Sequence, residues 1–190
     1  MNQYRFWKGI FDCFFSAILI VLLFPLLILL FIIACIDTSS NGIFFQKRIG
    51  QYGKVFIIYK FKTIRDKDEF CSKTGSVLRK YKLDELPQLF NILKGEMSFV
   101  GPRPDIEGYY DILKGKDRKV LNLKPGITSE ASIKYSNEEE LLKQQQDPLY
   151  YNDEILFPDK VKMNLDYLEN MSFSNDFKIL TKTIFKVLIK

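Results

Sequence analysis

The strongest constraint on the fold is an uncharged apolar run at residues 14–36, FFSAILIVLLFPLLILLFIIACI. As a helix, a run of this length is long enough to cross the hydrocarbon core of a bilayer, which is ~30 Å thick. The run is too long for the apolar region of a secretory signal, and no clear small-residue cleavage site follows it. We therefore expect it to stay attached and to place this part of the chain in a membrane.

A proline and the flanking charges bear on how the run meets the membrane. Pro25 lies in the middle, where proline removes a backbone hydrogen bond and bends a helix. Basic residues flank both ends: Arg5, Lys8, Lys47, Arg48 and Lys54. Because such residues prefer the cytoplasmic side, both flanks are satisfied only by a helix-break-helix hairpin that pivots at Pro25. A kinked spanning helix is equally compatible with Pro25, since membrane helices tolerate proline.

The composition restricts the chemistry that the rest of the chain can carry out. The net charge of +5 favours an acidic partner such as nucleic acid, anionic lipid or a phosphorylated small molecule. The absence of histidine excludes histidine bases, Ser-His triads and histidine-ligated zinc. The three cysteines form no CxxC motif, which argues against a disulfide framework or a zinc cluster. Carboxylates, lysine, arginine, hydroxyl groups or an oxygen-ligated metal remain.

A turn-rich break at residues 37–42, DTSSNG, separates the apolar run from a second part of the chain. The segments GIFFQKRIG and GKVFIIYKFKT predict two short strands joined at residues 50–53. Lys60 and Lys62 alternate with Tyr59 and Phe61, so both lysines are expected on one face, for which a solvated strand surface is the ordinary explanation. Residues 65–76 are polar and predict a loop.

The most informative stretch is residues 78–104, LRKYKLDELPQLFNILKGEMSFVGPRP. The helical spacing of its apolar residues predicts a core-facing stripe that ends before Gly95: Leu86, Leu89, Phe90 and Leu93. Asp84 and Glu85 would then stand at the helix N-terminus, with Pro87 in the first turn. Capping of the free N–H groups is a complete structural explanation for the two acids, and the helix dipole would keep Asp84 ionised.

Basic residues on both sides of Asp84 and Glu85 favour a functional site over simple capping. Three bases lie just before the acids: Arg79, Lys80 and Lys82. Arg103 follows between Pro102 and Pro104, and its planar fork suits phosphate oxygens. Acids and phosphates share a site when Mg²⁺ bridges them, so this pattern is typical of phosphoryl transfer.

Three features follow towards the C-terminus. The segment NLKPGITS predicts a Pro-Gly turn. The segment SNEEELLKQQQD predicts a short polar helix with Ser136 as cap, Glu139 completing a capping box, and its acids on the surface. The last segment carries a helical series of lysines (178, 182, 186, 190) beside an apolar stripe (Phe177, Leu180, Ile184, Leu188). A helix on an anionic membrane surface and a helix packed on the core are equally compatible with it.

These pieces together resemble the bacterial sugar transferases, specifically the small monotopic phosphoglycosyl transferases. The matching segments are KGIFDCFFSAILIVLLFPLL, FFQKRIGQYGKVFIIYKFKT, residues 78–104, LKPGIT and LDYLENMSFSNDFKILTKTI, and they cover nearly the whole chain. The resemblance implies an α+β fold with a helix-rich cytoplasmic catalytic domain at 41–190 that contains a short β-hairpin. A re-entrant membrane hairpin at 1–40, bent at Pro25, and amphipathic interfacial helices would hold it on the cytoplasmic face of the bacterial inner membrane.

The resemblance also implies an activity. Proteins of this family transfer sugar-1-phosphate from a UDP-sugar to polyprenyl (undecaprenyl) phosphate and release UMP, with a covalent phosphosugar-aspartate intermediate, as a first membrane step of glycan assembly. Asp84 would be the nucleophile, and Glu85 with Asp84 would hold Mg²⁺. The expected phosphate- and substrate-binding residues are Arg79, Arg103, Lys60, Lys62, Pro102 and Pro104. Membrane lipid is an expected partner, downstream glycosyltransferases are further candidates, and nucleic acid is not expected.

Two departures and two competing functions remain on the sequence. Phe24 precedes Pro25 where many relatives carry serine, and SEASIKYSNEEE replaces a segment that could touch nucleotide or sugar, so the sugar and the pathway stay open. A non-catalytic membrane-anchored module that binds anionic lipid or nucleic acid would explain the charge, but not Asp84-Glu85 or Pro-Arg-Pro. A degenerate scaffold relative would not need to keep Asp84, Glu85 and Arg103.

Overall fold

The structure, a computed structural model, describes residues 2–188. It begins with two helices, α1 (Asn2–Leu22) and α2 (Phe24–Thr38). Within the described range no single helix is both long and apolar enough to cross a bilayer. The two helices pass that test only as a pair, by length and composition, and they are bent by 70° at their junction.

The break between α1 and α2 falls at Leu23, and Pro25 lies in the first turn of α2. The predicted helix-break-helix is therefore confirmed, although the pivot is two residues before the proline. The displacement has a steric reason, because a proline ring clashes with the carbonyl of the residue four positions earlier, here Val21. The bend relieves this clash on the N-terminal side of Pro25.

The two predicted strands form an antiparallel hairpin. Strand β1 (Ile43–Ile49) pairs with β2 (Val55–Phe61) in a register that places Ile43 opposite Phe61. A 3-10 turn at Gln51–Gly53 connects them. Phe56 and Ile58 of β2 are buried on one face of the hairpin, and Phe61 is buried on the other, so both faces pack on core clusters. By the same alternation Lys60 lies on the face of Phe56 and Ile58.

The segment after the hairpin differs from the predicted loop. Helix α3 (Lys73–Lys80) begins inside residues 65–76. Ser72 is its N-cap, and its hydroxyl accepts a hydrogen bond from the N–H of Gly75 at 2.9 Å. A Cβ at Gly75 would lie 2.5 Å from the carbonyl oxygen of Thr63, so close packing requires glycine in the first turn of α3.

The stretch around Asp84 and Glu85 also differs from its prediction. The two acids lie in a 3-10 turn, Leu83–Glu85, and helix α4 (Gln88–Leu93) begins three residues after Glu85. Of the predicted stripe, Leu89 is buried and Leu86 is half-buried, whereas Phe90 and Leu93 are exposed.

The buried face of α4 carries Asn91 and Ile92 instead of the predicted Phe90 and Leu93. Asn91 accepts a hydrogen bond from the backbone N–H of Tyr59 at 3.2 Å and donates one to the carbonyl of Ile57 at 2.7 Å. This polar side chain satisfies backbone groups of β2, which a prediction based on apolar periodicity could not anticipate. It fixes α4 and the preceding turn against the hairpin.

A parallel strand pair connects the Gly-Pro-Arg-Pro segment to the C-terminal half. Strand β3 (Ser98–Val100) pairs with β4 (Gly126–Thr128), so the predicted Pro-Gly turn is wrong, because Gly126 lies in a strand. The N–H of Gly126 bonds to the carbonyl of Pro102 at 2.8 Å. A Cβ at Gly101 would lie 2.2 Å from the carbonyl oxygen of Lys124, so only glycine allows this approach of the two backbones.

Most of the C-terminal half is helical, and its helices pack around the core cluster that includes Val161 and Ile179. They are α5 (Glu130–Lys134), α6 (Glu138–Lys143), α7 (Pro148–Tyr151), a π-helical turn (Asn152–Leu156), α8 (Phe157–Glu169) and α9 (Phe173–Leu188). The predicted polar helix is therefore present but shorter. Its capping residue is Asn137 rather than Ser136, so the predicted capping box is wrong.

Helix α9 confirms the core-packed interpretation of its sequence, and its contact with a membrane surface stays a prediction. Ile179 is fully buried and Leu180 is half-buried, so one face packs on the core. Phe177 and Ile184 of the predicted stripe are exposed, at 72% and 59%. Lys190 lies outside the described residues. The outward apolar face is available for a membrane surface.

A buried polar cluster ties α1 to the C-terminal helices. The ammonium of Lys8 forms an ion pair with Asp176, which also accepts hydrogen bonds from the hydroxyls of Tyr4 (2.8 Å) and Tyr167 (2.6 Å). Lys8 is therefore not a free flanking charge, because its partner neutralises it. The argument for a re-entrant hairpin, which used basic residues on both flanks of the apolar run, therefore loses one free base on the N-terminal flank.

Candidate active site

A cleft of about 1190 Å³ lies between the β-hairpin with α3 on one side and the C-terminal helices on the other. Its size is sufficient for a nucleotide-sized ligand. Most of the predicted site residues line it: Lys60, Lys62, Arg79, Asp84, Glu85, Arg103 and Pro104. Pro102 faces a separate small cavity behind the loop. Pro25 lies in the hairpin bend and not in this cleft.

The 3-10 turn Leu83–Glu85 positions both acids. The N–H of Glu85 bonds to the carbonyl of Lys82 at 3.2 Å, and Lys82 has the left-handed backbone conformation, with φ of 58°. A lysine in this conformation is strained, and such strain is tolerated where the surrounding structure holds it. The turn buries Asp84 and Glu85 to 8% and 5% exposure at the base of the cleft.

Glu85 is held by two cations. The guanidinium of Arg103 contacts both of its oxygens, at 2.5 Å to Oε1 and 3.3 Å to Oε2, and the ammonium of Lys60 lies 3.0 Å from Oε1. Burial opposes ionisation of this carboxyl, but the charges of Arg103 and Lys60 outweigh it and hold the pKa of Glu85 well below its usual range. Glu85 is therefore an anion that fixes the two cations in the cleft.

Asp84 has a different environment. Its Oδ1 is buried and has no hydrogen-bond partner within residues 2–188. Burial, followed by the negative charge of Glu85, raises the pKa of Asp84, and the bases Lys60, Lys82 and Arg79 only partly oppose the rise.

The capping explanation is therefore wrong for Asp84, because the N-cap residue of α4 is Pro87 and no side chain of the described residues caps this helix. The expected contribution of a helix N-terminus to its ionisation is wrong as well. The short helix α4 begins only at Gln88, after the turn. Within the described chain, Oδ1 of Asp84 is therefore a buried acceptor that no protein group satisfies.

The remaining predicted bases contact acids on the cleft wall. Arg79 forms an ion pair with Glu139 at 3.0 Å, so the acidic helix predicted as surface charge reaches the cleft. Lys60 and Lys62 both line the cleft, but Lys62 pairs with Asp66 rather than with Glu85. The prediction that both lysines face one side is confirmed.

Several cleft residues were not identified from the sequence. Arg48 was considered only as a flanking charge, yet it lines the cleft, and burial lowers its pKa. Asp105, Lys160 and Asn164 also line it. For Arg48 the sequence offered one signal: Gln46 and Arg48 are two residues apart on β1, so their side chains lie on the same face of the strand.

The acidic side chains of the cleft decide whether this site can bind Mg²⁺. Within residues 2–188 no cluster of three or more acidic or cysteine side chains could hold a metal ion on its own. Mg²⁺ is usually bound by one or two carboxylates together with waters and substrate phosphates. Asp84, with its unbonded oxygen, fits this second mode, in which the ion binds together with a phosphorylated substrate. Both oxygens of Glu85 are already bonded by Arg103 and Lys60, so Glu85 fits it less well.

The family follows from comparison with known proteins. The chain matches the family model of the bacterial sugar transferases over residues 3–190, and it belongs to that family. It is 36% identical to an uncharacterized sugar transferase, EpsL, of Bacillus subtilis, over 96% of this chain and 87% of that protein.

Two further relatives carry more specific names. A UDP-glucose:undecaprenyl-phosphate glucose-1-phosphate transferase of Klebsiella pneumoniae is 33% identical over 95% of this chain and 40% of its own length. A UDP-N-acetylgalactosamine-undecaprenyl-phosphate N-acetylgalactosaminephosphotransferase of Aeromonas hydrophila is 29% identical over 97% of this chain and 44% of its own length. The chain therefore spans less than half of these two relatives.

Proposed function

We propose that this protein transfers a sugar-1-phosphate from a UDP-sugar to a polyprenyl phosphate and releases UMP. The names of the relatives support the general reaction and both substrate classes. The observation that carries the proposal is the pair at the base of the cleft. Asp84 has an unbonded buried oxygen, and its neighbour Glu85 holds Arg103 and Lys60 in place.

In the first step, the carboxylate of Asp84 attacks the phosphorus next to the sugar. A bond forms between the aspartate oxygen and phosphorus, and the bond to the bridging oxygen breaks, with its electron pair leaving on UMP. Arg103 is only partly used by Glu85, since its side chain is 45% exposed. Its outward N–H groups can stabilise charge on the transferring phosphoryl group, which is the main requirement of phosphoryl transfer.

In the second step, a phosphate oxygen of the polyprenyl carrier attacks the same phosphorus. The bond from Asp84 to phosphorus breaks, which restores the carboxylate and gives a polyprenyl-diphosphate sugar. A carboxylate is a competent leaving group and nucleophile when it is positioned and surrounded by positive charge. Lys60, Lys82 and Arg79 supply that charge around Asp84.

Asp84 would hold Mg²⁺ through its unbonded oxygen, and Glu85 would join it only by giving up a bond to Arg103 or Lys60. The ion would supply positive charge that offsets repulsion between the diphosphate and the attacking carboxylate. The raised pKa of Asp84 is consistent with this need, since added positive charge favours the ionised nucleophile. Lys62 and Pro104 are proposed as supporting residues of the same phosphate site, and Pro102 as a brace behind Arg103.

The location proposed for the enzyme is the cytoplasmic face of the bacterial inner membrane. The bent pair α1–α2 is proposed to enter and leave the membrane on one face, and its outward side chains are large and apolar, including Phe6, Trp7 and Leu22. The exposed Phe177 and Ile184 of α9 would rest on the headgroup region. This arrangement would hold the cleft near the phosphate of the polyprenyl carrier, while the polyprenyl tail stays in the hydrocarbon core.

The test is release of UMP by the full chain in detergent, supplied with Mg²⁺, undecaprenyl phosphate and a panel of UDP-sugars. We expect UMP with at least one donor, dependent on Mg²⁺, and a loss of at least a thousandfold in Asp84→Asn. Asp166→Asn, which removes an exposed acid, serves as the matched control. Retained turnover in Asp84→Asn would refute the role of Asp84. No UMP with any donor, together with binding to anionic vesicles, would favour the non-catalytic lipid-binding module.

A further inference from the structure

The cleft continues past Arg103 into a second region with a different charge pattern. Four ionisable side chains line it in two ion pairs. Arg48 Nη1 lies 3.8 Å from Asp105 Oδ1, and Lys160 Nζ lies 2.6 Å from Glu138 Oε1. Two bases are balanced by two acids, so this region, which we call the mixed-charge end, has no net charge.

The neighbouring part of the cleft, around Asp84 and Glu85, has a different charge balance. The bases Lys60, Lys82 and Arg103 share these two acids. An excess of positive charge suits the phosphates of the donor. A neutral region with both hydrogen-bond donors and acceptors suits an uncharged polyhydroxyl group, because every hydroxyl gives one hydrogen bond and accepts others.

Asp105 is rigidly held next to the reaction centre. It lies two residues after Arg103, and its backbone carbonyl accepts a hydrogen bond from the N–H of Ile49 at 2.9 Å. Arg48 bridges the same loop, since it donates to the carbonyl of Pro104 at 3.4 Å and to Gln46 at 2.6 Å. The strand β1 therefore holds the backbone of Asp105 and places the guanidinium of Arg48 3.8 Å from its carboxylate.

The carboxylate of Asp105 retains hydrogen-bonding capacity on the cleft side. It accepts one backbone hydrogen bond, from Ile106 at 2.9 Å, whereas a carboxylate has about four acceptor positions. Its side chain is 32% exposed. Burial raises the pKa of Asp105, which indicates a carboxyl poorly compensated by the protein alone.

The floor of the mixed-charge end is polar and ordered. The amide of Asn164, only 2% exposed, donates a hydrogen bond to the hydroxyl of Tyr110 at 3.1 Å. Both residues line the cleft. The hydroxyl of Tyr110 accepts this bond and keeps its own proton to donate, so the floor adds neutral hydrogen-bonding groups to the two ion pairs.

We propose that the mixed-charge end binds the sugar of the donor and that Asp105 is its specificity-determining residue. This inference rests on the proposed function. The sugar is joined through one oxygen to the phosphorus that Asp84 attacks, so its site must adjoin Arg103 and Glu85. The mixed-charge end adjoins them through Asp105. A fixed carboxylate that hydrogen-bonds a sugar hydroxyl discriminates strongly against donors that place the hydroxyl elsewhere.

The experiment compares Asp105→Asn with the wild-type protein, as full chains in detergent, on UDP-glucose, UDP-galactose, UDP-N-acetylglucosamine and UDP-N-acetylgalactosamine. Two quantities are measured: kcat/KM for each donor, and the inhibition constant of UMP. The matched control is Asp117→Asn, which removes an exposed aspartate that does not line the cleft. Asp105→Glu, which keeps the charge and moves it, tests whether position matters.

We expect Asp105→Asn to lower kcat/KM for the preferred donor at least tenfold. The ratio of kcat/KM between the preferred donor and the next best donor should fall at least fivefold. The inhibition constant of UMP should change less than twofold, and Asp117→Asn should match the wild type. Unchanged preference in both Asp105 variants would overturn the assignment. A parallel rise in the UMP inhibition constant would also overturn it, because the region would then bind the nucleotide. Absence of UMP from wild-type protein with every donor would instead refute the proposed function itself.

Discussion

The buried ion pair between Lys8 and Asp176 should contribute strongly to stability. It joins α1 to α9, and both side chains are almost fully buried. Asp176→Asn removes the nearest anion from Lys8 and keeps one oxygen acceptor, which serves either Tyr4 or Tyr167 because their hydroxyls bond different carboxylate oxygens. Breaking a buried pair by removing one partner costs about 3–5 kcal/mol. Asp12 remains 3.8 Å from Lys8, so we take the lower end, about 3 kcal/mol.

For a chain of 190 residues, about 3 kcal/mol corresponds to a fall of roughly 6–12 °C in the thermal midpoint. The assay is thermal unfolding of detergent-solubilised protein, followed by circular dichroism at one fixed scan rate. Asp166→Asn, an exposed acid on α8, is the control and should shift the midpoint by no more than about 1–2 °C.

A double-mutant cycle with Lys8→Met separates the pair from other effects. If the two side chains stabilise each other, the double variant should be more stable than the sum of the single losses predicts, by about 1–3 kcal/mol. Equal midpoints for Asp176→Asn and Asp166→Asn, or strict additivity in the cycle, would refute the argument that this pair fastens α1 to the C-terminal helices.

Three further predictions follow from the site and its supports. Asp84→Asn should keep or slightly raise the thermal midpoint while it removes activity, because burial raises the pKa of Asp84 and the ionised group costs stability near pH 7; a clear fall in the midpoint would show a structural role. The pKa of Glu85 is depressed, so its ionised carboxylate stabilises the fold above the ordinary pKa of 4.5, and this stabilisation is lost as the pH falls below that value. When the thermal midpoint is measured at decreasing pH, the midpoint of Glu85→Gln should therefore fall less steeply than that of the wild type. Gly101→Ala places a Cβ 2.2 Å from a backbone carbonyl and should cost about 1–3 kcal/mol, whereas Gly9→Ala, with no neighbour within 4 Å, should not destabilise; equal effects on urea unfolding would contradict the close approach.

The local elements that the sequence predicted well are those with a strong repeating pattern. The β-hairpin is present where alternation predicted it. The break in the apolar run is present as well, two residues before Pro25, because the clash of a proline ring acts on the preceding turn. Such signals depend on neighbours along the chain and therefore survive without knowledge of the tertiary structure.

The elements that were missed depend on contacts between distant residues. The buried face of α4 is set by Asn91, which satisfies backbone groups of β2, so apolar spacing pointed to Phe90 and Leu93 instead. Gly126 was predicted to lie in a turn, but it lies in strand β4, whose backbone packs closely against that of Gly101. Pairing across 25 or more residues leaves no mark in local periodicity.

The candidate site was predicted more completely at its acids than along its walls. The segment containing Asp84, Glu85 and Arg103 is dense enough in charge and proline to stand out. Arg48 and Lys160 come from segments far apart in the chain and reach the cleft only after folding. The acids of α6 were predicted as surface charge, and Glu139 is indeed exposed, but the sequence did not show that it lies beside Arg79.

The central claim is that Asp84 forms a covalent bond to the phosphosugar. The most direct measurement is mass spectrometry of the protein after incubation with Mg²⁺ and the active UDP-sugar, without polyprenyl phosphate, followed by peptide mapping. The account predicts one added sugar-phosphate mass, located on the peptide that contains Asp84, absent in Asp84→Asn and discharged when undecaprenyl phosphate is added. UMP release without an adduct on Asp84, or an adduct on another residue, would contradict it.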